Sequence, residues 1–131
     1  MLEVRTSKLI SEGSTDEEFQ RGVFATQDIK KGTLIHVAPV ISYLNEDHVH
    51  IEKTILGDYA YSYGANHSAI LLGYGSLFNH SYTPNASFEL NFDNLTVEFY
   101  AHTDIKENEE VLTNYNGEVD CNDPLWFDVN K

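Results

Sequence analysis

The chain has 131 residues, 41% of them apolar, which suits one domain with a modest core. Eight basic residues face twenty-one acidic ones, and a net charge of −13 argues against direct nucleic-acid binding because such a surface repels phosphate. No apolar run approaches the roughly 18 residues a membrane helix needs, and a single cysteine, Cys121, excludes an internal disulfide and a multi-cysteine zinc site.

The N-terminal "MLEVRTSKLISEG" has no apolar core followed by a small-residue cleavage site, so no secretory leader is expected. A cytoplasmic location is the expectation, with a nuclear one left open for a eukaryotic or viral source. Gly22-Val23-Phe24-Ala25 predicts a strand, and Ile29 to Gly32 a turn in which Gly32 takes a positive φ. Thr33 to Tyr43 predicts a second β-rich run, broken at Pro39. Asp47 to Leu56 reads as a short helix or an irregular connection. Tyr59, Tyr61 and Tyr63 recur at period two, as in a strand. "HSAILLGYGSLFNHS" reads as opening with a turn of helix capped by Ser68. Ser87 to Phe92 and Leu95 to Ala101 alternate about Asp93-Asn94 and predict a hairpin. "IKENEEVLTNY" predicts a turn and then a strand, and the polar tail carries one aromatic pair, Trp126-Phe127. The sum is a mostly β domain of many short strands.

Six histidines are present, but only His48 and His50 lie close together, and no Glu-His helical motif accompanies them; no metal site is expected. The chain has no nucleophile elbow and no phosphate-cradling Walker loop. The stretch that calls for chemistry is "FNHSYTPNA", where an apolar run ends in Asn79 and His80. Two such side chains must be paired once buried, either with protein in a polar network or with a polar small molecule.

The order of three segments carries a resemblance. "RGVFATQDIKKGTLI" precedes "GYGSLFNHSYTPNA", which precedes "IKENEEVLTNYNG". This arrangement, from about Arg21 to Gly117, resembles the SET domain, the protein-lysine methyltransferase fold, in the compact stand-alone form known from bacteria and large DNA viruses. The resemblance implies one domain over 1–131, with a core of about 20–117 and a C-terminal tail of 118–131. It also implies several short twisted sheets, little helix and a pseudoknot-like threading of the C-terminal strand. The implied activity is S-adenosylmethionine-dependent, in-line transfer of a methyl group to a deprotonated lysine. Position by position, Tyr115 would be the catalytic tyrosine. Asn79 would hold the methionine end of the cofactor and the His80 backbone would read its adenine. Arg21, Gly22 and Val23 would approach the cofactor through backbone atoms. Tyr59, Tyr61 and Tyr74 would line the lysine channel, with cross-strand core packing as the other reading of these tyrosines.

This chain departs from the family pattern at four places. Gln20 stands where a first glycine is usual, Ser76-Leu77 replace an arginine, and Thr113 replaces the aromatic residue two before the catalytic tyrosine. The zinc-binding tail of many relatives is absent. Trp126 either supplies an aromatic wall over the adenine or lysine channel or anchors the C-terminus. The implied partner is a basic, lysine-containing protein or peptide, with no membrane and with a homodimer left open. The rival to catalysis is a non-catalytic SET module that binds a basic partner.

Overall fold

The computed structural model describes residues 1–7 and 21–117, and short strands dominate them. Leu2–Thr6 (β1), which no sequence pattern singled out, pairs antiparallel with Arg21–Ala25 (β2), Leu2 opposite Ala25 and Thr6 opposite Arg21. The expected strand at Gly22 to Ala25 is therefore present, with Val23 and Ala25 fully buried. The turn at Gly32 has the positive φ anticipated for it, +89°.

Leu34–Leu44 (β3) runs unbroken through Pro39, contrary to the expected break. The reason is a change of partner. Leu34 to Pro39 pair with Thr96–Ala101 (β8), whereas Val40 to Leu44 pair with His67–Leu71 (β5). The missing N–H of Pro39 falls at that handover, and its carbonyl still accepts from the Leu72 N–H at 2.8 Å. The segment after β3 holds a 3₁₀ turn at Asn45–Asp47, one turn of helix at His48–Ile51 (α1) and a second 3₁₀ turn at Ile55–Tyr59. Ala60–Ser62 (β4) is the only strand of the tyrosine repeat, so Tyr61 alone of the three lies in it.

His67–Leu71 is a strand, not the helical turn expected there. It lies between β3 and β4, and ladders on both sides outweigh the local capping signal of Ser68. The Ser68 hydroxyl donates to Asn45 Oδ1 instead, at 2.7 Å. The hairpin of Ala86–Asn91 (β7) and β8 is present with a four-residue loop, 92–95, closed by the Asn94 N–H on Asn91 Oδ1 at 3.1 Å.

Glu110–Thr113 (β9) follows the expected turn and organises the molecule. It pairs antiparallel with β2 and parallel with Asn79–His80 (β6), giving the order β1-β2-β9-β6. The other sheet runs β4-β5-β3-β8-β7. One apolar cluster joins the two: Val23 and Val111 from the first, Ala38, Val97 and Phe99 from the second, with Phe78 fully buried and its ring centroid 4.5 Å from that of Phe99. The late strand thus lies between an early one and a mid-chain one, and β6 is brought beside the residues that follow β9.

Candidate active site

The β6–β9 pairing covers only two residues of each strand, Asn79 opposite Leu112 and His80 opposite Thr113. Asn85 lengthens it. Its Oδ1 accepts from the Leu112 N–H at 2.8 Å and its Nδ2 donates to the Glu110 carbonyl at 2.9 Å, so one side chain behaves as a further strand residue against β9. Its own carbonyl accepts from the N–H groups of His102 and Thr103. The polar loop after Phe78 is therefore stitched to β9 by both side chain and backbone.

Tyr115 lies two residues beyond β9 and is fixed at both ends. Its N–H donates to His80 Nδ1 at 3.0 Å, and its hydroxyl donates to the Phe78 carbonyl at 2.6 Å. Its ring centroid is 5.2 Å from that of His80 and 5.9 Å from that of Tyr61, and Tyr82 packs edge-on against His80. Burial lowers the His80 pKa to about 4, so the ring is neutral near pH 7. Because Nδ1 accepts, the proton resides on Nε2, which is buried and has no hydrogen-bond partner among the described residues. Burial, with the nearby Tyr61, Glu110 and Tyr59, raises the Tyr115 phenol well above its ordinary value. Tyr61 is pushed the same way by burial, against a smaller opposing effect of the Thr113 hydroxyl. Thr113 is fully buried, and its Oγ1 lies near Tyr61 without reaching hydrogen-bond geometry.

A cavity of about 100 Å³ opens onto this cluster, lined by Asp58, Tyr59, Ala60, Tyr61, Ser62, Ser76 and Tyr115. Of the sequence-expected residues, Tyr59, Tyr61 and Tyr115 meet there. Tyr74 does not: its hydroxyl donates to the Leu2 carbonyl at 3.4 Å and its ring packs on His36, which places it against β1. Ser76, of the Ser76-Leu77 pair read as replacing the family's arginine, accepts from the Leu71 N–H and donates to the Tyr59 carbonyl, tying the cavity wall to β5. His80 is in contact with Tyr115, and Asn79 lies between the two residues that Tyr115 bonds, Phe78 and His80, with its own amide turned to Glu110 and Arg21. The Arg21 carbonyl accepts from Asn79 Nδ2 at 3.0 Å. Val23 has its side chain wholly in the core and its backbone paired on both sides. The space that Gly22 leaves is taken by Glu110 and Asn79, so a Cβ there would collide with Glu110 Oε2 and come 2.9 Å from Asn79 Nδ2. Trp126 and Gln20 lie outside the described residues. Glu110, Asn85 and the Phe78 carbonyl went unremarked in the sequence, although each falls inside or beside a motif that was noticed; Thr113 was noticed only as a departure from the family pattern.

The SET domain family model matches residues 20–116. The chain belongs to the SET-domain family. This SET domain is 34% identical over 109 residues to a Schizosaccharomyces pombe protein named histone-lysine N-methyltransferase, H3 lysine-37 specific, covering 82% of the present chain and 70% of that one. A crystal structure of a Plasmodium falciparum protein assigned as a histone methyltransferase superposes with a TM-score of 0.61 at 32% identity, covering 85% of this SET domain and 95% of that chain. Polycomb repressive complex 2 of Chaetomium thermophilum, in an autoinhibited conformation bound to S-adenosylmethionine, contains a region of the same fold. There the TM-score is 0.69 at 18% identity, over 87% of this chain and 15% of that one.

Proposed function

We propose that this SET domain transfers a methyl group from S-adenosylmethionine to the side-chain amine of a lysine in a basic protein. The chain is a protein-lysine methyltransferase, and the observation that carries the reading is the bond from the Tyr115 hydroxyl to the Phe78 carbonyl beside a tyrosine-lined cavity. With its proton committed there, the phenol oxygen can meet an amine only as an acceptor. That suits it to orient an amine, and its raised pKa leaves it neutral, so it is not the base.

The residues fit the cofactor. Both hydrogens of Asn79 Nδ2 are taken by protein acceptors, which leaves Oδ1 as the outward pole of the amide, suited to an ammonium. Asn79 and the His80 backbone would hold the two ends of S-adenosylmethionine, which when bound supplies a sulfonium-activated methyl group. The protein's part is to prepare the lysine. Free lysine has a pKa of about 10.4, so exposing the neutral amine at pH 7.4 costs about 4 kcal/mol. Aromatic walls at Tyr59, Tyr61 and Tyr115 disfavour the charged form and reduce that cost, and the proton leaves to water through the open end. Asp58, on the cavity lining, attracts the incoming cation. Holding the amine in near-attack geometry can contribute about 7–11 kcal/mol.

Histone tails are the leading substrate class, as the names of the fission-yeast and Plasmodium relatives suggest and as an acidic surface favours. The test is transfer of a labelled methyl group to an array of lysine peptides, compared with Tyr115→Phe. Loss of one preorganised polar group at such a centre commonly costs about 100–1000-fold in rate. A cofactor-binding chain that labels no lysine peptide, or a Tyr115→Phe chain that turns over like wild type, overturns the reading.

A further inference from the structure

We infer that Glu110 is the positioning residue that sets which pole of the Asn79 amide meets the cofactor, locking Oδ1 outward so that the site accepts an ammonium. This rests on the reading of Asn79 as the contact for the amino-acid end of the cofactor. The Glu110 carboxylate, on the first residue of β9, is held from two sides. Oε1 accepts from the Ser7 hydroxyl at 2.7 Å, and Oε2 accepts from Asn79 Nδ2 at 2.7 Å. The second hydrogen of that amide goes to the Arg21 carbonyl at 3.0 Å.

An asparagine amide can turn over by 180° and exchange its oxygen for its nitrogen with little change of shape. Here it cannot do so cheaply. Both groups facing Nδ2 are acceptors only, a carbonyl and a carboxylate, so the flipped amide would set oxygen against oxygen twice. The charge-assisted bond to Glu110 is the stronger of the two constraints. The Arg21 carbonyl alone leaves one neutral bond opposing the flip. Gly22 belongs to the same device, because any side chain there would occupy the place of the carboxylate. Ser7 completes it by fixing the far oxygen, which stops the carboxylate from rotating away. Oδ1 makes no hydrogen bond to a described residue, so the lock leaves a single, oriented acceptor.

The full chain tests this in two ways. In the ligand-free protein, the Asn79 side-chain amide protons should be protected from exchange in wild type, released in Glu110→Ala and protected again in Glu110→Gln, whose side-chain carbonyl can take the place of Oε2. Calorimetry then uses two probes, S-adenosylhomocysteine and its analogue lacking the α-amino group. Glu110→Ala should weaken S-adenosylhomocysteine about ten-fold or more, the range expected for a lost bond to a charged group, and leave the deaminated analogue within about two-fold. Glu110→Gln should restore most of the loss. Equal weakening of both probes would make the carboxylate a general structural prop and overturn the inference, as would unchanged amide protection in Glu110→Ala. If wild type binds neither probe, the cofactor reading of the site fails, and the amide protection still decides whether Glu110 locks Asn79.

Discussion

His80 combines burial, neutrality and a structural bond in one side chain, and its protonation is therefore coupled to folding. Its imidazole is lowered from 6.5 to about 4 by burial. Above pH 6.5 neither the folded nor the unfolded state carries the proton. Between about 6.5 and 4 the unfolded chain takes up a proton that the folded chain refuses, so stability falls as the pH falls, by about 1.4 kcal/mol per pH unit. At pH 5 the loss relative to pH 7 should be about 2 kcal/mol. His36 is lowered by burial too, so it adds to the same slope. Urea titrations at both pH values should show a shallower dependence in His80→Gln, and an unaltered dependence would contradict the assignment. Thr113 offers the opposite test. Its hydroxyl is fully buried and, beyond its approach to Tyr61, has no hydrogen-bond partner among the described residues, so Thr113→Val, close in shape, should raise stability by about 1 kcal/mol. A destabilised Thr113→Val chain would mean that the hydroxyl has a partner in solution.

At the scale of elements, the β6–β9 pairing depends on a side chain. Asn85→Ala removes two hydrogen bonds to β9 and leaves the Glu110 carbonyl and the Leu112 N–H without that partner. At about 1 kcal/mol for each net bond, with desolvation of the abandoned groups added, the expected loss is about 2–4 kcal/mol by urea unfolding. Asn85→Asp keeps the acceptor for Leu112 but turns a carboxylate oxygen toward the Glu110 carbonyl, so it should recover only part of the loss. A silent Asn85→Ala would show that backbone pairing alone holds the seam. The same dependence on distant partners explains what the sequence made legible. β2, the β7–β8 hairpin and β9 were readable because alternation and turn residues are local signals. β1 was not, because Leu2 to Thr6 become a strand only against β2, which begins 15 residues beyond Thr6. Pro39 misled because its cost depends on which partner its N–H would have met, and His67 to Leu71 misled because ladders on both flanks overrode a cap. In the site, Asn79, His80 and Tyr115 were legible as motif members. Glu110 was not, since nothing in "NEEVLTNY" says which glutamate turns toward Asn79, and Tyr74 shares its chemistry with Tyr61 but not its place.

At the scale of the molecule, twenty-one acidic residues against eight basic ones give a field that a cationic peptide meets before it meets the cavity. Asp58 on the cavity lining gives that field a local focus. Between exposed charges, steering acts over about a Debye length, some 10 Å at 0.1 M salt and much less at higher salt. Raising salt to about 0.5 M should therefore raise the apparent KM for a lysine- and arginine-rich peptide, chiefly by slowing association. Binding of S-adenosylmethionine should change little, because its contacts are short and its net charge is small. The measurement uses two peptides with the same target lysine, one with basic flanks and one with neutral flanks. The basic peptide should lose its advantage as salt rises, and Asp58→Asn should remove part of that advantage at low salt while sparing the neutral peptide. Parallel salt responses for the two peptides would show that the charge only keeps the chain soluble, and selection of the substrate would then rest on the shape of the tyrosine-lined cavity.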